Sequence, residues 1–186
     1  MATVSPDMLI AIDGLPGGNK TALRNGLAAA LSLPNLAPTA EDVRVSNAAS
    51  SRDPSAIALA NILFHATPHP VEGVRKWSPA HVDAYFGLLF ESTSPSDGAV
   101  AARRVRAQVG WTENVRVLVD ITPQQSLEAG AFSLTEADLA ELKEAESTPP
   151  PPHCTQIVVH GPATDKTVRE VMQQLSAPTI DPVHFL

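Results

Sequence analysis

The residues with the clearest chemistry lie near the start of the chain. Gly14-Leu15-Pro16-Gly17-Gly18-Asn19-Lys20-Thr21 matches the phosphate-binding loop pattern G-x-x-x-x-G-K-[ST] except at Asn19, where the pattern has its second glycine. Such a loop points successive backbone N–H groups at a β-phosphate and delivers its lysine to the β- and γ-oxygens. Its Ser/Thr hydroxyl holds magnesium at a helix N-terminus. The replaced glycine would permit a left-handed backbone and close phosphate approach. Asn tolerates positive φ better than most side chains, so the expected geometry survives, with the amide crowding a bound phosphate. The competing reading is an ordinary strand-to-helix turn whose lysine is solvated.

Other chemistry-bearing residues are scattered. Asp120 ends an apolar run, where many phosphate-loop nucleotidases carry a magnesium acid. Arg103, Arg104 and Arg106 form the one basic cluster; they are candidates to supply charge to a phosphate, but their position before the strand at 115–121 reads as a solvated helix face. Trp77, Tyr85 and Phe86 are candidates for base stacking, although aromatics at such spacing more often pack in a core. His65, His69, His81, His153, His160 and His184 form no close pair on one helix face, so no metal site is expected from them. Cys154 beside the proline run reads as an incidental thiol. No Asn-Lys-x-Asp string for guanine recognition occurs.

The loop needs a strand before it and a helix after it, and the sequence supplies both. Residues 8–12 (MLIAI) form an apolar run of the kind buried on both faces of a parallel sheet. From Lys20 to about Leu31, Leu23, Leu27, Ala30 and Leu31 recur at helical spacing until Pro34. Residues 43–46 read as a short strand and 55–65 as a core helix. Ser78-Pro79 is an N-cap followed by proline at the first helical position, opening a helix with Val82, Tyr85, Phe86, Leu89 and Phe90 on one face. Residues 99–109 predict a short helix and 115–121 a strand. Ser133 to Glu136 matches a capping box for a helix to about Glu146. The four prolines 149–152 form a stiff connector, 155–160 a strand, and Asp165 caps a last helix with Val168, Val171, Met172 and Leu175 inward. Strands alternating with helices predict a three-layer α/β sandwich around a mostly parallel sheet.

Size and composition bound the rest. The 186 residues, 44% of them hydrophobic, predict one domain spanning 1–186 with a real core. The 17 prolines, roughly twice average usage, predict long loops between compact elements. A formal charge of −7 argues against a nucleic-acid partner, while backbone amides still admit a small anion. A single cysteine excludes an internal disulfide framework and fits a reducing compartment. With no basic leader or long apolar run, no membrane partner is expected and the location expected is cytoplasmic.

LIAIDGLPGGNKTAL resembles the opening of the thymidylate kinase and deoxynucleoside kinase superfamily, including herpesvirus-type thymidine kinases, where an acid and a glycine follow strand one. Residues 51–59 (SRDPSAIAL) are similar to that group's Asp/Glu-Arg segment, 117–127 to its fourth strand and following turn, and 157–171 to its last strand, adenine-side loop and terminal helix. The resemblance implies a P-loop kinase-like fold and transfer of the ATP γ-phosphoryl group to a nucleoside or nucleoside monophosphate. By that resemblance Gly14 to Thr21 cradle phosphate, Lys20 neutralises the transferred group, Arg52 binds a phosphate, Asp53 stands in as a magnesium-shell acid and Thr21 holds Mg2+. It makes Asp120 structural, the alternative to the magnesium role above. It also implies a homodimer formed through helices. Three departures accompany it. Ser51 replaces the acid before the arginine. Between Lys20 and Arg52 there is room for one helix and one short strand but not for the family's further strand bearing its base carboxylate, which Glu41 or Asp42 would replace. No basic residue lies in 128–133. The second expectation is therefore a catalytically degenerate kinase fold that acts by binding nucleotide or a protein partner.

Overall fold

A computed structural model describes residues 7–38, 47, 72–93, 112–130 and 134–177. The elements are β1 (Leu9–Asp13), α1 (Lys20–Leu31), β2 (Gly73–Lys76), α2 (Pro79–Thr93), β3 (Val115–Asp120), α3 (Pro123–Glu128), α4 (Glu136–Ala145), β4 (Thr155–His160) and α5 (Asp165–Ser176). The expected strand at 43–46 and the expected helices at 55–65 and 99–109 lie outside the described residues.

The four strands form one all-parallel sheet in the order β2-β1-β3-β4. All five residues of β1 are buried, as are the first five of β3, so both faces of the central strands are covered. Two groups of helices supply the cover. α1 packs on β2 and α5, while α4 packs on α2 and α3. This is an α/β fold compatible with a three-layer sandwich. β4 shows the alternation of a half-covered edge, with Ile157 and Val159 in the core and Gln156, Val158 and His160 exposed.

Helix boundaries follow local chemistry. α1 buries Leu23, Leu27 and Ala28, so Ala28 rather than Ala30 completes its apolar face, and it ends where Ser32 turns left-handed at φ 55°. The capping box before α4 is shifted from the expected Ser133 and Glu136. Thr135 Oγ1 accepts from the Asp138 amide at 3.1 Å, and Asp138 Oδ2 accepts from the Thr135 amide at 2.8 Å. Asp138 stands three residues after Thr135 just as Glu136 does after Ser133, and only the former pair brackets the helix. Val171 of α5 is fully buried, with Val168, Met172 and Leu175 packed beside it as its spacing predicts.

Topology decides where a ligand fits. The chain leaves β1 toward β2 on one side and leaves β3 toward β4 on the other. The carboxyl ends of neighbouring β1 and β3 therefore open a switch-point crevice, the usual ligand site of an open α/β sheet. Gly14 to Asn19 begin at that point.

Candidate functional site

The loop leaves β1 through a glycine that nothing else can replace. Gly14 has φ 134°, and a methyl group there would strike the Val119 carbonyl oxygen of β3. Gly17 at φ 90° lies so close to α3 that an added Cβ would stand 2.5 Å from the Ala129 Cβ. Both positions press the loop onto the crevice between β1 and β3.

Asn19 adopts φ 60° and ψ 33°, the left-handed conformation a glycine would take. Its side chain is engaged across the loop. Nδ2 donates to the Ala163 carbonyl at 2.9 Å, and the Ala163 amide donates back to the Gly18 carbonyl at 2.9 Å. The loop is thus clipped to the segment after β4. Asn19→Gly should keep the backbone and lose one hydrogen bond, lowering stability by about 1 kcal/mol with no gain in nucleotide affinity. Thermal melting and calorimetric titration of ATP check it, and tighter binding would mean the amide obstructs phosphate.

The Asn19 side chain makes no cap to α1. Among the described residues, no backbone or side-chain group accepts from the amides of Gly17, Gly18, Asn19, Lys20 or Thr21. Five donors at a helix N-terminus with no protein acceptor are a ready anion site.

Lys20 is 8% exposed, and its Nζ donates to the Leu15 carbonyl at 2.7 Å. Burial, helped by repulsion from Lys76 and opposed by Asp13 and Glu146, lowers its pKa to about 8. Its ammonium is held inside its own loop by one neutral acceptor, with no carboxylate in contact among the described residues. Thr21 is exposed at the second position of α1.

The acids around the loop are occupied. Asp13 is buried and accepts from the Ser78 amide and the Ser78 hydroxyl, each at 2.6 Å, with Arg116 Nε 3.6 Å from its carboxylate. Asp120 is paired with Lys143 of α4 and with His160 Nδ1 at 3.1 Å. The Lys143 hydrogen bond holds the Asp120 carboxyl below its usual range. Lys143 also donates to Glu146 at 2.6 Å, where burial pushes the carboxyl pKa up. For magnesium, Thr21 fits as a ligand beside phosphate oxygens. Asp120 fits only once Lys143 withdraws from it. No cluster of His, Cys, Asp and Glu suited to a metal occurs among the described residues.

Arg52 and Asp53, with Glu41, Asp42 and the Arg103, Arg104 and Arg106 cluster, lie outside the described residues. The structure also brings forward a strand that the sequence reading passed over, Gly73–Lys76. It lies beside β1 and delivers Arg75, Lys76, Trp77 and Ser78 to the loop's edge of the sheet. The signal was weak, a four-residue strand with two charges. Trp77 has φ 70°, a rare conformation for a bulky side chain, and its amide donates to the Ile12 carbonyl at 2.9 Å. Its ring stacks on His81 at 5.5 Å and tilts against Tyr85 at 5.3 Å. His81 is buried, and its pKa falls to about 4, so it is neutral. The indole Nε1 is buried without a partner. Trp77 and Tyr85 are only half-buried. The side chain of Phe86 lies outside the description.

No family model matches this chain, and no curated protein matches it. No helix among the described residues is long and apolar enough to cross a membrane.

Proposed function

We propose that this protein binds ATP through Gly14 to Thr21 and transfers its γ-phosphoryl group to a nucleoside or nucleoside monophosphate. The observation that carries the reading is the loop itself: it leaves the central strand at the switch point and, among the described residues, presents five amides without protein acceptors and keeps a lysine beside them without a counter-ion. The resemblance to the thymidylate and deoxynucleoside kinases adds the acceptor class.

In this role the loop amides hold the donor phosphates, and the Lys20 ammonium swings from the Leu15 carbonyl to the γ-oxygens, where a charge-assisted contact is stronger. Thr21 would hold magnesium, which would supply neutralisation of the phosphate charge. Trp77, half-buried with a free indole N–H, offers a surface for the acceptor base beside the loop. Arg52 keeps its proposed place on a phosphate, with Asp53 in the magnesium shell.

One observation favours the second reading, a degenerate kinase that binds nucleotide without turning it over. Asp120, the one described acid at the carboxyl end of β3, is tied to Lys143 and is not free for metal. Labelled ATP with a panel of deoxynucleosides and their monophosphates separates the two. Acceptor-dependent product that falls at least about a thousandfold in Lys20→Ala and Arg52→Ala is expected of the enzyme. Nucleotide binding without mutant-sensitive product would leave the scaffold. A melting curve unmoved by excess ATP and magnesium would remove both.

A further inference from the structure

Lys20 belongs to a larger concentration of positive charge that phosphate transfer at the loop does not use. One helical turn on, Arg24 lies on the same side of α1, 5% exposed. Its one hydrogen bond among the described residues runs from Nη2 to the neutral Asn25 Oδ1 at 3.2 Å, an oxygen already taken by Asn35 Nδ2 at 2.9 Å. Arg24 Nε is buried with no partner. The register of β2 sets Lys76 beside Ile12 at the strand's carboxyl end, against which α1 packs. Lys76 is half-buried and meets no acceptor among the described residues.

The charges act on one another. Burial first and Arg24 second lower the pKa of Lys76, and burial followed by Lys76 lowers that of Lys20. Burial also lowers the pKa of Arg24. Buried cations are ordinarily paired, because desolvation is otherwise uncompensated. Two buried cations and a half-buried one, with no carboxylate in contact among the described residues, describe a site suited to an anion. The two described acids whose charge acts on Lys20, Asp13 and Glu146, already serve Ser78, Arg116 and Lys143.

We propose that Arg24 and Lys76, extending the charge of Lys20 away from the loop, form a second oxyanion subsite that takes the phosphate of a phosphorylated acceptor. The assignment rests on the kinase reading and chooses within it: the acceptor is a nucleoside monophosphate, not a nucleoside. Arg24 supplies its buried Nε–H, Lys76 a half-buried ammonium, and Trp77, the next residue, a face for the base. The chemistry recognised is a tetrahedral phosphate dianion, carried by a monophosphate ester or by free phosphate.

The test uses the full chain with a non-hydrolysable ATP analogue and magnesium, titrated calorimetrically with thymidine monophosphate, thymidine and inorganic phosphate. Expected is tight binding of the monophosphate relative to thymidine, weakened by about tenfold or more in each of Arg24→Met and Lys76→Met, with thymidine unaffected. In phosphate-free buffer both variants should melt at or above the wild-type temperature, because an unpaired charge has been removed. Unchanged monophosphate affinity in Lys76→Met, or an Arg24→Met protein less stable than wild type without ligand, overturns the subsite. Inorganic phosphate binding in place of the monophosphate overturns the acceptor assignment. Should the ATP analogue fail to bind while monophosphate binding keeps its dependence on Arg24 and Lys76, the kinase reading falls and the subsite stands.

Discussion

Lys20→Met should produce a protein that is more stable than the wild type at pH 7 and binds ATP at least about a hundredfold more weakly. The two effects share a cause. In the folded protein the ammonium is buried and its pKa is about 8, against 10.5 for an ordinary lysine. Below about pH 8 both folded and unfolded chains carry the proton, and the full penalty of a buried charge opposes folding. Between about 8 and 10.5 the unfolded chain binds more protons, so wild-type stability rises with pH across that window. The shift corresponds to about 3 kcal/mol, offset in part by the lost bond to the Leu15 carbonyl, which leaves a net gain of roughly 2 kcal/mol. Denaturant titrations at pH 7 and 10 should show the rise in the wild type and its absence in the variant. Nucleotide affinity runs the other way: as free Lys20 loses its proton above about pH 8, the ATP affinity should fall by about tenfold per pH unit. Lys20→Arg should flatten that profile. A wild-type affinity constant from pH 7 to 10 would mean that Lys20 does not meet the phosphates.

The loop was legible in the sequence because its parts are local. An apolar run, two glycines that no other residue replaces, a lysine and a helix follow one another without a gap, and each is fixed by its neighbours. Asn19 shows the limit of local reading. Its left-handed backbone follows from its own chemistry, whereas the turn of its side chain to Ala163 depends on a residue 144 positions away. β2 escaped for a related reason. Gly73–Lys76 has one apolar residue, Val74, and it becomes a strand because β1 beside it offers a parallel ladder. With β2 unread, Arg75, Lys76 and the strained Trp77 were not placed near the loop. Asp120 looked like a free acid in one dimension, and only the packing of α4 reveals Lys143 beside it. Pairing partners far apart in sequence were the illegible part, and they determine which charges are available.

Asp13→Ala should destabilise the fold by about 3–5 kcal/mol, far more than Asp120→Ala, whose partly exposed pair is worth at most about 1 kcal/mol. Both are acids at the carboxyl end of a strand, and burial separates them. The Asp13 side chain is 7% exposed and that of Asp120 37%. Asp13 accepts from the backbone and hydroxyl of Ser78, the residue before α2, so one carboxylate ties the root of the phosphate loop to the start of that helix. Arg116 closes the arrangement from β3, with Glu113 taking its Nε and Nη2 at 2.9 and 2.6 Å. Removing the carboxylate leaves a buried amide, a buried hydroxyl and an arginine short of one counter-charge. Asp13→Asn keeps an acceptor for one Ser78 donor and should fall between wild type and alanine. Urea denaturation, read as a shift in midpoint at constant slope, measures both. The same substitution carries a signature that simple loosening would not. Asp13 is one of two acids holding the Lys20 pKa up against burial and Lys76, so its neutralisation should move the decline in ATP affinity below pH 8. An Asp13→Asn profile that still breaks at about pH 8 would show that this carboxylate braces the loop without setting the charge on its lysine.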